Sequence, residues 1–165
     1  MTGEAGFDGR CTCGRVRYRL SSAPLYVQSC HCSWCRRESG SAFATNAIIE
    51  ADRVVLLQGE PERVDTPTQS GKGQAYFRCP RCRIALWSNY AGAGEALRFV
   101  RVGTLEHPEG FPPQMHIYTA YKLPWVVIPA GAPAVPEYYD RNVHWPADSL
   151  ARREAALGRI KENKG

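Results

Sequence analysis

The sequence predicts a mainly β fold with short helices, and three observations support that class. Apolar residues occur in short stretches that alternate with polar ones, as they do in half-buried strands. Glycine (15 residues) and proline (12 residues) are spread along the chain and separate these stretches. Seven cysteines fall into three close groups, a pattern typical of metal ligands in a reducing compartment. A mostly antiparallel sheet fold with cysteine-bound metal is therefore expected.

Seven stretches are predicted to be strands, because each is short and most are bounded by turn residues. The first shows the clearest alternation, with apolar residues on one face and the arginines Arg15, Arg17 and Arg19 on the other. We interpret these arginines as a solvated strand face rather than a nucleic-acid surface, since no nucleic-acid motif accompanies them. The predicted strands are Val16–Leu20, Ala44–Glu50, Arg53–Gln58, Gly73–Phe77, Ala85–Asn89, Leu97–Arg101 and Met115–Thr119.

Two short helices are predicted. The first would be capped by Ser33, run to Glu38 and stop at Gly40. The second covers Ala147–Ile160, which is rich in Ala, Leu, Arg and Glu, and the polar residues Lys161–Gly165 are expected to form a frayed tail.

Composition favours one globular domain. The 165 residues are 44% hydrophobic and 22% charged, so we expect a single zinc-binding domain over residues 1–165, with a core at about 9–139 and a C-terminal helix and tail at 146–165. No apolar run of membrane-spanning length and no secretory leader is visible, which favours the cytoplasm and argues against a membrane partner. The net charge is +5, but seven thiolates holding two divalent ions would cancel three of these charges.

Four of the cysteines have the spacing of a closed metal site. Cys79 and Cys82 form a C-x-x-C pair beside Pro80, and such a pair can occupy two corners of a tetrahedron around zinc. Cys11 and Cys13 form a C-x-C pair next to a glycine, which permits the bend needed to bring both sulfurs to one ion. These four residues are predicted to hold one structural zinc ion.

The other three cysteines, Cys30, Cys32 and Cys35, lie within six residues of one another. Three thiolates can bind one zinc ion and leave its fourth position open, which is the arrangement of catalytic zinc. Disulfides, a redox-active thiol loop and a site closed by His31 or a distant histidine are the competing interpretations. His116 lies in a strand pattern and is expected to be a buried, hydrogen-bonded residue rather than a ligand.

Five segments give the chain a clear resemblance to the glutathione-dependent formaldehyde-activating enzyme family. Three of them contain the cysteines: G-R-C-T-C-G-R-V-R-Y (Gly9–Tyr18), S-C-H-C-S-W-C-R-R-E-S-G-S-A-F (Ser29–Phe43) and F-R-C-P-R-C (Phe77–Cys82). The other two are V-G-T-L-E-H-P (Val102–Pro108) and P-x-x-H-I-Y followed by K-L-P-W (Pro113–Trp125). One departure is Arg83, which stands where the family usually has a glycine after the second cysteine pair.

The resemblance implies a β-tent fold of small antiparallel sheets with two zinc ions per chain. It assigns Cys11, Cys13, Cys79 and Cys82 to a structural zinc ion, and Cys30, Cys32 and Cys35 to a catalytic one. It also implies an S-(hydroxymethyl)glutathione synthase-like activity, classed as a carbon–sulfur lyase, with a glutathione-like thiol and an aldehyde as small-molecule partners. The alternative function is a non-catalytic binding module or a metal or redox sensor. No pattern predicts an oligomeric state.

Several side chains near the three-cysteine group are candidates for substrate binding. Arg36 and Arg37 could pair with a substrate carboxylate or with the anionic metal–thiolate centre; the competing interpretation is a solvated helix face. Aromatic residues that could line a pocket are Trp34, Phe43, Tyr121 and Trp125, although such residues are more often part of a core.

Overall fold

The computed structural model describes residues 6–68 and 70–162, and it confirms the mainly β class. The described residues form ten strands, three α-helices and several 3₁₀ turns. The strands are β1 (Phe7–Arg10), β2 (Arg17–Leu20), β3 (Tyr26–Cys30), β4 (Ala44–Glu50), β5 (Val54–Gln58), β6 (Glu62–Thr66), β7 (Gln74–Arg78), β8 (Ala85–Tyr90), β9 (Leu97–Arg101) and β10 (Met115–Ile117). The helices are α1 (Ser33–Ser39), α2 (Arg141–His144) and α3 (Ala147–Glu162).

The strands form two sheets. The smaller has the order β1-β2-β5, and the larger has the order β10-β3-β4-β9-β8-β7-β6. All neighbouring strands pair antiparallel apart from β10 and β3, which are parallel. That parallel pair brings Ile117 level with Cys30, so a segment distant in sequence lies beside the three-cysteine group.

All seven predicted strands are present, with ends shifted by up to two residues. Two local predictions were wrong. Cys32, not Ser33, caps α1, because its sulfur accepts a hydrogen bond from the backbone N–H of Cys35. Helix α3 continues through Lys161 and Glu162, so those two residues belong to the helix, and residues 163–165 lie outside the described part of the chain.

The larger sheet separates two hydrophobic cores, because side chains alternate between its faces. On one face Val27, Ala47 and Val100 pack in a core that contains Cys11 and Cys79. On the other face a second core contains the remaining sulfurs: Cys30 and Cys35 are buried in it, and Cys32 packs against it. The two cysteine groups are thus in different environments on opposite faces of one sheet.

Helix α3 covers the second core and is fixed by a buried ion pair. Its apolar residues Ala156, Leu157 and Ile160 pack on that core. Arg152 donates from Nε and from an Nη atom to the two carboxylate oxygens of Glu50, at 2.8 Å each. Glu50 is 1% exposed, so its charge depends on this partner and on Arg53, whose Nε lies 3.2 Å away. Within the described residues, no helix has both the length and the apolar character needed to cross a bilayer.

Arg152→Ala is expected to lower the free energy of unfolding by about 2–4 kcal/mol, because it leaves a buried carboxylate with one partner fewer. Arg159→Ala is the matched control in the same helix. Arg159 pairs with Asp52 at the surface, and such exposed pairs contribute about 0–1 kcal/mol. Urea unfolding of the two reduced, metal-loaded variants measures the difference, and equal losses would show that the Glu50 pair does not anchor α3.

Candidate metal centres

The first cysteine group is assembled by two turns. Cys11 and Cys13 lie between β1 and β2, where the backbone N–H of Cys11 donates to the Val16 carbonyl at 3.1 Å. Gly14 closes this turn with φ of +74°, a conformation that glycine adopts without strain. Cys79 and Cys82 lie directly after β7, in the turn before β8.

The four sulfurs of this group fit a tetrahedral zinc site. All four lie within 4.8 Å of one another. The Sγ of Cys13 is 3.6 Å from that of Cys11 and 3.7 Å from that of Cys79. A tetrahedron of sulfurs at the usual zinc–sulfur bond length has edges of about 3.8 Å. The four thiols therefore already have the spacing that the ion requires.

Backbone N–H groups stabilise negative charge on these sulfurs. The N–H of Val16 donates to the Sγ of Cys11 at 3.3 Å. Burial raises the pKa of Cys11 to about 11, against the lowering effect of that hydrogen bond. At Cys82 burial also raises the pKa, but hydrogen bonds from the N–H groups of Cys13 and Ile84, together with those from the neighbouring thiols, outweigh it and the pKa falls to about 6. These N–H donors favour the thiolate form of the cysteines, which is the form that binds zinc.

Arg83 occupies the left-handed conformation that a glycine would adopt at this position, with φ of +63°. Its N–H donates to the Cys79 carbonyl at 3.0 Å, which closes the turn around the cysteine pair. Its side chain points to β6, where it pairs with Glu62 at the surface. The loop geometry is thus retained despite the departure from glycine.

Replacing Arg83 by glycine is expected to leave stability unchanged within about 0.5 kcal/mol or to raise it, because relief of the left-handed strain offsets the greater freedom of the unfolded chain. Arg83→Val is expected to cost about 1–2 kcal/mol, since a β-branched residue is poorly tolerated at positive φ. Thermal unfolding of both zinc-loaded variants checks this order. A glycine variant less stable than the valine variant would contradict it.

The second group, Cys30, Cys32 and Cys35, is assembled by the end of β3 and the start of α1. Cys30 is the last residue of β3, Cys32 caps α1 and Cys35 lies in its first turn. Their three sulfurs lie within 4.8 Å of one another, and no histidine or carboxylate among residues 6–68 and 70–162 joins them. All seven cysteines are free thiols, which argues against the disulfide interpretation. Within the described part of the chain, the arrangement offers three ligands to one ion and no fourth.

Negative charge is favoured at Cys32 within this group. Hydrogen bonds from Cys30 and Cys35 lower the pKa of Cys32, as do the backbone N–H groups of Cys35 and Trp34. The same contact with Cys32 raises the pKa of Cys30. At Cys35 the contact with Cys30 lowers the pKa, but Cys32 and burial raise it to about 11, and the Arg101 guanidinium acts to lower it. A divalent ion would relieve this competition among three thiols for one negative charge.

The two nearby histidines bond to each other rather than to the sulfurs. Nε2 of His31 lies 3.1 Å from Nδ1 of His116, and both rings are buried. His31 also packs against Phe43, with ring centroids 5.0 Å apart. Burial lowers the pKa of both histidines, that of His31 to about 4, which favours neutral rings. His116 is thus buried and hydrogen-bonded, as the strand pattern predicted.

Three residues near the second group were not among the predicted site residues: Tyr118, Lys122 and Arg101. Burial raises the pKa of Tyr118, and the charges of Cys30 and Cys32 add to that increase. Tyr118 has φ of +55°, a strained conformation for a tyrosine. The charge of Lys122 contributes to the lowered pKa of His31. Tyr118 could have been identified from the sequence, because it ends the P-x-x-H-I-Y segment. Arg101 could not, because only strand pairing shows that it lies near this group.

The predicted substrate-binding residues lie in different environments. On α1, Trp34 is 41% exposed, Arg37 is exposed and Arg36 is half-buried with no partner for its Nε among the described residues. Phe43 is half-buried against His31, and Trp125 is 71% exposed. A groove of about 490 Å³ lies elsewhere, beside β6 and β7, and its lining includes none of these side chains and none of the cysteines.

The fold and these groups define a mainly β protein with two candidate metal centres, one offering four sulfurs and one offering three. The sequence model of the family described as "Glutathione-dependent formaldehyde-activating enzyme" matches residues 6–121. The chain belongs to that family.

A relative with 30% sequence identity agrees with the assignment. A protein of Halomonas elongata, named "Putative glutathione-dependent formaldehyde-activating enzyme", is 30% identical over 158 residues, which cover 92% of this chain and 96% of that protein. A Rhodobacter sphaeroides protein of known crystal structure is similar at a TM-score of 0.46 and 22% identity, over 60% of this chain and 87% of that one.

Proposed function

We propose that the chain is a zinc-dependent enzyme that joins a small thiol to an aldehyde, as an S-(hydroxymethyl)glutathione synthase does. The family description and the name of the Halomonas elongata relative both support glutathione and formaldehyde as the reactants. The observation that carries the proposal is the second cysteine group, in which three sulfurs converge without a fourth protein ligand among the described residues. A cytoplasmic location fits, because the thiols must stay reduced.

In the proposed reaction the thiol sulfur attacks the aldehyde carbon and a carbon–sulfur bond forms. The carbonyl π electrons move to oxygen. Sulfur loses its proton, and the former carbonyl oxygen gains one. The product is a hydroxymethyl thioether, and the reverse reaction is the carbon–sulfur lyase activity. No oxidant or reductant is consumed.

We propose that Cys11, Cys13, Cys79 and Cys82 hold a structural zinc ion, and that Cys30, Cys32 and Cys35 hold a catalytic one. Zinc at the second group would supply an open position at which a thiol loses its proton more readily and a carbonyl is polarised. The group fits this use, because contacts among the three thiols and burial raise the pKa of Cys30 and of Cys35. A bound cation would stabilise the thiolate forms of both.

Activation of the thiol alone gives little acceleration. A fall of about two units in a thiol's pKa raises the thiolate fraction at pH 7 about 25-fold, but the weaker nucleophile loses about eightfold, so the net gain is about threefold. A larger rate enhancement needs positioning of the two reactants. We propose that Arg36 and Arg37 bind a substrate carboxylate, and that Trp34, Phe43 and Trp125 contact its apolar parts.

The proposal is tested by measuring how fast glutathione and formaldehyde combine. Protein purified anaerobically is assayed for zinc and free thiols, and adduct formation is followed by NMR exchange spectroscopy with ¹³C-labelled formaldehyde. Two zinc ions per chain and an exchange rate that rises in proportion to enzyme concentration are expected. Cys32→Ser is the matched control and should give the uncatalysed rate.

Two zinc ions with no change in the exchange rate for any thiol tested would reject catalysis and leave the binding or sensing alternative. One tightly held zinc ion per chain would reject the second metal site as well.

A further inference from the structure

Arg101 is brought to the three-cysteine face of the larger sheet by strand register. It is the last residue of β9 and pairs with Asn46 of β4, and Cys30 pairs with Ala44, two residues earlier in β4. Residues two apart in a strand share a face, and Ala44 packs in the core that contains Cys30 and Cys35. The guanidinium therefore lies on the same side of the sheet as the second cysteine group.

The guanidinium is held in place from two sides. One Nη atom donates to Oδ1 of Asn46 at 3.0 Å, and the other lies 3.2 Å from the Tyr76 hydroxyl. Its central carbon is 5.5 Å from the centroid of the Tyr76 ring, which adds a cation–π contact. Both partners are neutral, so they orient the charge without cancelling it.

No carboxylate in the described residues pairs with Arg101, although it is half-buried. Glu38, whose charge acts on the same Tyr76 hydroxyl, is already paired with Arg78. Positive and negative charges have opposite effects on the Tyr76 hydroxyl. Burial raises its pKa to about 12, the Arg101 charge acts to lower it, and the charges of Glu38 and Cys35 act to raise it. Arg101 is thus a positive charge near the cysteine group, and none of the acidic residues that the structure describes pairs with it.

The charge of the proposed metal centre explains why such a cation would be kept there. Three thiolates and one divalent ion carry a net charge of −1. A neutral fourth ligand leaves that charge unchanged, whereas a thiolate changes it to −2 and releases the thiol's proton to solvent. Extra negative charge in a half-buried position is costly unless a cation offsets it. Arg101 favours the anionic ligand over the neutral one.

We propose that Arg101 is a positioning residue that makes the second centre select a thiolate as its fourth ligand. The inference rests on the proposed function only in placing a metal ion at Cys30, Cys32 and Cys35. It assigns the preference for a thiol substrate to a charge on β9 rather than to contacts with the rest of the substrate.

The test compares a thiol ligand with a neutral one. Cobalt(II)-loaded protein is titrated with 2-mercaptoethanol, which has no carboxylate, and separately with imidazole, and binding is followed by the cobalt absorption spectrum. Arg101→Met is expected to lower the ratio of thiol affinity to imidazole affinity about tenfold, the size of effect that one nearby charge exerts in a half-buried site of intermediate effective dielectric constant. Arg101→Lys keeps the charge and should retain most of the ratio.

Arg98→Met is the matched control on the same strand. Arg98 lies over the Trp87 ring at 4.7 Å, in contact with the first core, and donates to the Val54 carbonyl at 3.1 Å. Its loss should reduce stability without changing the affinity ratio. Because the ratio compares two ligands of the same protein sample, partial unfolding does not alter it.

An unchanged ratio in Arg101→Met would overturn the inference, as would an equal fall in Arg98→Met. Wild-type protein that binds no thiol at the second centre would overturn both this inference and the proposed function. Thiol binding that depends on Arg101 but brings no catalysis would reject the proposed function alone.

Discussion

Cys79→Ser is expected to abolish the stable fold. Cys79 is fully buried, and its sulfur lies 3.7 Å from that of Cys13. A shared ion would therefore link the turn between β7 and β8 of the larger sheet to the turn between β1 and β2 of the smaller one. Binding free energy at a structural zinc site is folding free energy, about 10–16 kcal/mol in small zinc-binding peptides, which is as large as the whole stability of a typical domain. We therefore expect loss of cooperative unfolding, measured by circular dichroism with zinc present.

Arg81→Ala is the control for this prediction. Arg81 lies in the same turn and is exposed, so its removal should change the stability by no more than about 0.5 kcal/mol. A Cys79→Ser protein that still unfolds cooperatively, with a loss below about 2 kcal/mol, would show that the first group does not hold the fold together.

Cys32→Ser is expected to remove the second metal ion and the catalysed reaction while the fold remains. The fold should survive because Cys32 caps α1 by accepting a hydrogen bond from the Cys35 N–H, and serine is a favoured residue at that position. A stability change of about 1 kcal/mol or less is expected from the substitution itself. The zinc content measured by metal analysis should fall from two ions per chain to one.

Ser33→Ala is the matched control for the helix end. Ser33 is the first residue of α1 and does not cap it, so both zinc ions and the activity should be retained. Equal losses of stability in Cys32→Ser and Cys79→Ser would contradict the division into one structural and one catalytic centre.

The strands that could be predicted from the sequence are those with clear alternation or clear boundaries, such as β4 and β9. Strand β3 was missed because all five of its residues are buried, so no polar face marks it. Strand β1 was missed because it is four residues long and contains Gly9, which usually indicates a turn. In the structure a Cβ at Gly9 would lie 2.3 Å from the Tyr18 ring, so the glycine allows that ring to pack over the strand.

The candidate site could be predicted in part. Both cysteine groups follow from spacing, because ligands close in sequence can reach one ion without knowledge of the fold. Arg101 could not be found in this way: strand pairing alone brings β9 beside the three-cysteine face. The hydrogen bond between His31 and His116 likewise depends on the parallel pairing of β10 with β3, which no local pattern indicates.

The most direct test of the account is zinc K-edge X-ray absorption of the reduced protein, before and after addition of a thiol. We predict a mixed spectrum, with four sulfurs around one ion and three sulfurs plus a lighter atom around the other, in which the lighter atom is replaced by sulfur when thiol is added. A second ion that already has four protein ligands, with the scattering pattern of a histidine ring and no response to thiol, would contradict the claim that this centre is open.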